Sequence, residues 1–296
     1  RMFGREAQLK FHTPYGTLSF GRAGTLISGA GTLDIWGVNA DVLPGGWDGI
    51  FNIGNYQGNG MRLDNMVTYQ TPTAAGFTGY LQYSFANDTT DGDDDSRPNE
   101  RSNNRYFAGG LTYNNGPLGV VVIYDTLMFR HYSDSQVGDV GGNDANVGDS
   151  RVLSVGGHYD FGSFKLTAFG QYVKGSRSGF GDGLGYSVPF WSDDSQFRTF
   201  YYDADGYNLH IGAQIPMDSW GRLYLGAYYG YLEANDDSLN SEAKNINLLV
   251  GHEYDFSKRT TLYSGVAYKQ LKNENDDGKL GDMKATQVIV GLRHIF

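Results

Sequence analysis

The chain has 296 residues, of which 40% are hydrophobic and 15% aromatic, with 43 Gly, 7 Pro and no Cys. The lack of Cys excludes a disulfide framework and thiolate chemistry, and a net charge of -10 argues against nucleic acid as a partner, because phosphate binding needs a basic surface. A mean hydropathy of -0.44, without an apolar run near the roughly 18 to 20 residues that a spanning helix needs, excludes a transmembrane helix.

The residue types predict an all-β chain in which no helix is needed. Tyr, Phe, Thr and Val favour half-buried strands, and the common helix formers do not dominate. Apolar Leu223, Leu225 and Ala227 alternate with Arg222 and Tyr224, and the same alternation recurs in stretch after stretch. A strand of a membrane barrel needs only about 9 to 11 residues with every second residue apolar, so a polar average is compatible with a membrane.

Thirteen strands are predicted along the chain, and the connections between them alternate between short and long. Outer-membrane barrels have this rhythm, because short periplasmic turns and long extracellular loops follow from strands that cross in alternating directions. The predicted strands are 5–12, 16–22, 61–70, 77–86, 103–113, 118–127, 150–160, 163–174, 203–215, 220–231, 243–254, 260–270 and 284–296. The long connections are 23–60, 87–102, 128–149, 175–202, 232–242 and 271–283.

Four stretches carry a resemblance to the general bacterial outer-membrane porin family. Gly4–Lys10 and Gly16–Arg22 resemble two adjacent strands of that family, and Arg62–Pro72 resembles a strand with its periplasmic turn. Val290–Phe296 looks like the final strand, whose terminal Phe is the signal read by the barrel assembly machinery. The resemblance implies a transmembrane antiparallel β-barrel of sixteen strands that assembles as a homotrimer in the bacterial outer membrane.

The resemblance also predicts how the chain is organised. The whole of 1–296 is expected to be a single barrel domain, with 23–60 folded inward as a constriction loop. The first strand here matches the family's fourth, so three N-terminal strands are expected to be absent. A start at Arg1 without Met fits a processed chain. An open sheet of thirteen strands would leave two unpaired edges in lipid, where each unsatisfied backbone group costs several kcal/mol.

In that family, carboxylates on the constriction loop face a basic cluster on the opposite wall. Alternation predicts that Arg62 points inward, opposite Leu63 and Val67, and Arg62 matches a basic position of the family's cluster. Fixed charges at a narrow point raise the local concentration of counter-ions. The candidate carboxylates are Asp34, Asp41 and Asp48, and the candidate basic residues are Lys10, Arg62, Arg22 and Arg5.

The expected function is a water-filled channel for passive diffusion of small hydrophilic solutes and ions, and the net charge of -10 predicts a weak cation preference. No cofactor, metal or catalytic residue is expected. The six His residues are scattered, and the acidic run 87–96 lacks the full calcium-loop pattern, so a solvated loop is the better interpretation. The expected partners are outer-membrane lipid and lipopolysaccharide, the barrel assembly machinery and further copies of the chain.

Three alternatives stay open at this point. A sugar-specific channel would use a stripe of aromatic side chains, because sugar rings have apolar faces. An outer-membrane enzyme would need a nucleophile or water beside a base, and His131 or His210 is a conceivable base without a supporting motif. A soluble β-sandwich is the last alternative. The aromatic candidates are Trp36, Trp47, Phe51 and Tyr56 on the 23–60 segment, with Tyr186, Phe190, Trp191 and Phe197 on a later loop.

Overall fold

In the computed structural model, the described residues are 4–28, 33–44, 47, 49–51, 58, 62–85, 104–128, 149–176, 204–235, 241–275 and 278–295. Over these ranges, thirteen strands form one antiparallel sheet in which every strand pairs with its neighbour in sequence. The all-β prediction with thirteen strands is therefore confirmed. The strands are β1 (Ala7–Thr13), β2 (Gly16–Gly24), β3 (Arg62–Gln70), β4 (Phe77–Ser84), β5 (Arg105–Asn115), β6 (Leu118–Met128), β7 (Ser150–Asp160), β8 (Lys165–Ser176), β9 (Ala204–Pro216), β10 (Arg222–Ala234), β11 (Ser241–Ser257), β12 (Thr260–Asn275) and β13 (Gly278–His294).

The two faces of the sheet differ as the alternation predicts. Leu153 and Val155 on β7 are exposed apolar side chains, whereas Ser154 and Val152 between and beside them are buried. We call the face of Val152 and Ser154 the inner face, and the face of Leu153 and Val155 the outer face. Exposed apolar residues line the outer face in most strands, as lipid contact requires. Further members are Leu9, Phe11, Leu81, Leu111, Leu209, Ile211, Leu225, Leu248, Val250, Val266, Val288 and Val290.

A β-bulge in β3 changes the alternation on which one site prediction depended. Ala23 pairs with Leu63 while Gly21 pairs with Met66, so β3 carries an extra residue at this point. Leu63 is only 5% exposed and belongs to the buried core, so its predicted outward position is wrong. Arg62 pairs with Gly24 beyond the bulge, and its direction does not follow from the alternation further along the strand.

The last predicted long connection, 271–283, is mostly strand. β12 continues to Asn275 and β13 begins at Gly278, with Lys272 paired opposite Asp282. The polar composition of 271–283 predicted a loop. A hairpin that extends beyond the apolar band of the barrel can have polar side chains on both faces, because water reaches both. The strict alternation of long and short connections is therefore wrong at this end of the sheet. The connection predicted at 232–242 is also shorter, because β10 ends at Ala234 and β11 begins at Ser241.

Three short helices accompany the strands in the described ranges, although the sequence pattern required none. Helix α1 covers Ile35–Ala40, and two 3-10 helices cover Gly49–Phe51 and Asp218–Trp220. Asp34 caps α1 by accepting a hydrogen bond from the Gly37 N–H, which satisfies a backbone donor of the first turn. Among the helices in the described ranges, none has the length and apolar character needed to cross a bilayer.

Candidate pore constriction

The chain that follows β2 turns onto the inner face, and Gln82 of β4 fixes the point where it does so. The Leu26 N–H donates to Gln82 Oε1 at 3.0 Å, and Gln82 Nε2 donates to the Gly24 carbonyl at 3.0 Å and to Thr68 Oγ1 at 3.2 Å. All three partners lie on neighbouring strands or on the segment itself. We call residues 23–51 the docked segment, since its described residues pack on this face.

Helix α1 is the first long contact of the docked segment, and it packs on β6, β7 and β8. Trp36 is 1% exposed, and its ring lies 5.0 Å from that of Phe169 on β8. Nδ1 of His158 on β7 lies 3.0 Å from the Asn39 carbonyl, which it approaches as a donor. The helix is thus held by an aromatic contact on one strand and a hydrogen bond from the next.

The turn after α1 is held by Asp41. Its Oδ1 accepts from the Leu43 N–H at 3.2 Å and from the Tyr228 hydroxyl at 3.2 Å. The Tyr228 ring stacks at 4.1 Å on His210 of β9. A carboxylate of the segment is therefore joined directly to the wall formed by β9 and β10.

Trp47 and Phe51 anchor the far end of the docked segment on β10, β11 and β12. Trp47 is 2% exposed and Phe51 1%, with 5.2 Å between their rings. The Trp47 ring also lies 5.3 Å from Tyr263. Between the two anchors, the Ile50 N–H donates to Gln287 on β13 at 2.8 Å, and Asn247 on β11 donates to the Ile50 carbonyl. The segment thus reaches from β4 to β13 along the inner face.

Glycines on the inner face make room for this segment. A Cβ at Gly251 would lie 2.9 Å from the Trp47 ring, and one at Gly212 would lie 2.7 Å from Val42. Real Cβ atoms avoid such distances, so the segment occupies space that larger side chains would fill. We call these residues the glycine track, and its members are Gly110, Gly156, Gly212, Gly226, Gly251 and Gly265.

The two described carboxylates of the segment are perturbed by burial. Loss of hydration raises the pKa of Asp34, opposed by its hydrogen bond from the Gly37 N–H. Loss of hydration also raises the pKa of Asp41 to about 6, opposed by the hydrogen bonds from Leu43 and Tyr228 and assisted by the nearby charge of Asp34. Asp41 therefore changes its charge in mildly acidic solution.

The predicted basic residues all lie at the other end of the sheet, in or next to β1 to β3. Lys10 is exposed and pairs with Ser19, on the strand face opposite Leu9. Arg22 forms an ion pair with Asp64 at 2.8 Å and donates to the Gly4 carbonyl at 2.9 Å.

Arg5 is exposed and precedes β1, and Arg62 is the first residue of β3. The part of the docked segment that carries Asp34 and Asp41 contacts β6 to β10. The structure therefore separates the candidate carboxylates from the candidate basic residues. Asp48, Tyr56, His131, Phe296, the acidic run 87–96 and the aromatic loop around Trp191 lie outside the described residues.

Several anchors of the segment were not predicted from the sequence. Three of these anchors are ordinary polar residues within strands, namely Gln82, Asn247 and Gln287. In the sequence, only their position on the inner face distinguishes them from other polar strand residues. Tyr228 shares the inner face with Tyr224, but its contact with Asp41 joins residues 187 positions apart. Such a partner has no local sequence signal.

An antiparallel sheet with an apolar outer face and an inner face covered by its own chain defines a membrane β-barrel. A profile described as Gram-negative porin matches residues 1–276. The chain therefore belongs to the Gram-negative porin family, and its location is the outer membrane.

Proteins with similar sequences are also outer membrane porins. An outer membrane porin of Bordetella pertussis is 32% identical over 308 aligned positions, which cover all of this chain and 73% of the relative. Outer membrane porin protein 32 of Delftia acidovorans is 28% identical, with 80% of this chain and 58% of the relative covered.

Solved structures share the fold. An anion-selective porin from Comamonas acidovorans has a TM-score of 0.61 and 23% identity, over 99% of this chain and 78% of that one. The outer-membrane protein OmpT of Vibrio cholerae has a TM-score of 0.62 and 17% identity, over 98% and 80% of the two chains.

Proposed function

We propose that the protein is a passive channel for small hydrophilic solutes and ions, narrowed by the 23–60 segment. The observation that carries the proposal is the docked segment, which lies on the inner face from β4 to β13 and is anchored by buried Trp36 and Trp47. A sixteen-stranded barrel leaves a lumen too wide to select solutes by itself. A segment fixed inside it supplies the narrow point.

The charge pattern at this narrow point follows from where the segment docks. Asp34 and Asp41 lie on the segment against β6 to β10, whereas Lys10 and Arg62 lie on β1 and β3. In a closed barrel the strands that carry the two groups form opposite walls of the lumen, so the charges that face it produce a transverse field. Arg22 contributes less, because Asp64 neutralises it at 2.8 Å.

Liposome swelling tests the channel. We expect swelling in uncharged sugars at rates that fall smoothly with sugar size and do not saturate, because diffusion through water depends on size alone. Protein-free liposomes and liposomes with heat-denatured protein are the controls. Micromolar block by one sugar would replace this proposal by a substrate-specific channel.

The weak cation preference stays a prediction that rests on the net charge of -10. The anion-selective porin with the same fold argues against it, and selectivity is set at the constriction rather than by total charge. Reversal potentials in a salt gradient across a planar bilayer decide the sign. A cation-selective potential supports the prediction, and an anion-selective one ends it.

The sugar-specific alternative loses its main support on the docked segment. Trp36, Trp47 and Phe51 are each at most 2% exposed and pack between the segment and the wall. A stripe that binds passing sugars must face the lumen, so these three rings serve as anchors. The enzyme alternative is equally weak, since His210 contacts the Ala227 carbonyl and the Thr167 hydroxyl rather than a carboxylate. Lipid and peptide hydrolysis assays are expected to be negative.

Assembly as a homotrimer is part of the proposal. A solved form of the Vibrio cholerae protein with the same fold is a trimer, and the apolar outer face near both chain ends offers contact area. Lipid, lipopolysaccharide and the barrel assembly machinery remain proposed partners. Stepwise closure of single channels in threes would support the trimer.

A further inference from the structure

Four charged side chains form an ion cluster on the inner face, where β10 begins and where β11 and β13 end. Glu253 of β11 has a side chain that is only 1% exposed. Arg222 and the Tyr224 hydroxyl donate to its Oε2 at 3.0 Å each, and Arg293 donates to its Oε1 at 3.3 Å. Arg222 also forms an ion pair with Asp255 at 2.9 Å. The two cations and the two carboxylates of the cluster therefore balance one another.

The site that holds Trp47 borders this ion cluster. Tyr224 pairs in register with Gly251, and Gly251 pairs with Gly265, so two neighbouring positions of this rung lack side chains. The Trp47 ring occupies the space, because a Cβ on either glycine would lie 2.9 Å from it. The Tyr224 ring lies 6.3 Å from the Trp47 ring in an edge-to-face arrangement and so closes one side of the site.

The Tyr224 hydroxyl joins the ion cluster to this site. It donates to the Glu253 carboxylate and accepts from Arg222 Nε at 3.2 Å. Hydrogen bonds to charged groups are stronger than neutral ones, and a buried charge that loses a partner is costly, so these bonds restrain the Tyr224 ring. The orientation of the ring that Trp47 packs against is therefore set by the charges behind it.

We propose that Glu253 is a positioning residue for the far end of the docked segment, acting through Tyr224 on Trp47. The other end of the segment is held by separate contacts, since Asp41 accepts from Tyr228 and α1 packs on β6 to β8. Loss of the Glu253 charge is therefore expected to loosen the far end alone. The inference rests on the proposed function, because the far end belongs to the segment that narrows the channel.

Thiol reactivity of single Cys variants tests this inference, because the original chain has no Cys. I50C reports on the far end and V42C on the other end, since Ile50 and Val42 are both buried. The rate of modification by a small maleimide is measured on the folded full chain in detergent. Adding E253Q is expected to raise the rate at I50C about tenfold, because each hydrogen bond to a charged group shifts a local opening equilibrium by about this factor. The rate at V42C is expected to stay unchanged.

E242Q is the matched control, because Glu242 is a carboxylate of the same strand that pairs with Lys244 at 2.6 Å on the outer face. It is expected to leave the rate at I50C unchanged. Y224F removes only the hydroxyl and is expected to raise the rate at I50C as well, so it decides the question if E253Q does not fold. A rise at I50C alone supports the proposal, whereas no rise, or an equal rise at V42C, would overturn it.

The thiol measurement is independent of transport, which separates this proposal from that of a channel. If Y224F and E253Q leave I50C protected while the original chain swells liposomes, the positioning role is wrong and the channel proposal stands. If I50C alone becomes reactive while the original chain does not swell liposomes, the positioning role stands and the channel proposal is wrong.

Discussion

Asp41 has two tasks that depend on opposite properties. Its hydrogen bonds from Leu43 and Tyr228 hold the turn on the wall, and we propose that its charge contributes to the field at the narrow point. Burial raises its pKa to about 6, so the docked protein takes up a proton that the unfolded chain would bind only near its ordinary pKa of 3.8. Acid therefore stabilises docking through this group as the pH falls through 6, while it removes the charge.

The variant D41N separates these tasks. The amide oxygen still accepts both hydrogen bonds, so the turn is expected to stay docked. A unit charge about 8 Å from an ion in a water-like medium changes the energy of a cation by about 0.5 kcal/mol and that of an anion by the same amount in the opposite sense, so the cation-to-anion permeability ratio should fall about fivefold. The original chain should show the same fall between pH 7.5 and pH 5, and D41N should show none.

Reversal potentials at the two pH values provide the measurement. D160N is the matched control, because Asp160 is an exposed carboxylate at a short-turn end of the sheet. It is expected to follow the original chain at both pH values. A D41N channel with the original ratio and the original pH dependence would show that Asp41 does not act on passing ions.

At the scale of elements, the docked segment is positioned mainly by shape. Hydrogen bonds hold it at Gln82, Asn247 and Gln287, but the glycine track decides how close to the wall it lies. Trp47 illustrates this, since two glycines beneath its ring replace side chains that would hold it away. Buried aromatic anchors of this kind contribute several kcal/mol when they fill such a site.

The variant G251A tests the track. Its Cβ would lie 2.9 Å from the Trp47 ring, and overpacking of this kind costs about 1 to 3 kcal/mol. The ring and the segment are expected to move toward the lumen, so single-channel conductance should fall. G109A is the control, because Gly109 lies on the outer face with its nearest neighbour 3.8 Å away. The smaller ring in G251A/W47F should restore conductance, and an unchanged G251A channel would contradict the role of the track.

The elements differ in how far the sequence predicts them. Alternation is local, so all thirteen strands and the outward position of Leu153 or Leu225 are predictable. Helix α1 is not, because six residues around Gly37 are too few for a periodic signal. The polar segment 271–283 was predicted to be a loop, but Lys272 pairs with Asp282 in the extended hairpin of β12 and β13. The sequence does not indicate the bulge at Asp64 and Asn65. Because of this bulge, the alternation along β3 does not predict which face Arg62 lies on.

The candidate site shows the same limit more sharply. The sequence and the family resemblance identify Asp34 and Asp41 on a segment expected to fold inward. They do not identify Tyr228, because its contact with Asp41 depends on the path of the whole segment across the sheet. Residues that carry charge are visible in a sequence, whereas the residues that fix their position are set by tertiary packing.

For the molecule as a whole, the proposal of a passive channel requires the segment to stay docked while solutes pass. The natural absence of Cys allows a direct test with an engineered disulfide. A Cβ at Gly212 would lie 2.7 Å from the Val42 Cβ, so a shift of about 1 Å reaches the roughly 3.8 Å of a disulfide. The variant V42C/G212C is therefore expected to form the bond when oxidised, which confirms that the segment lies on β9.

Conductance of V42C/G212C before and after reduction then tells whether the segment is a fixed constriction or a gate. A fixed constriction gives the same conductance in both states, because the bond only holds what packing already holds. The single variants V42C and G212C control for the substitutions themselves. A large rise in conductance on reduction would show that the segment leaves the wall during transport, and the channel would then be gated rather than passive.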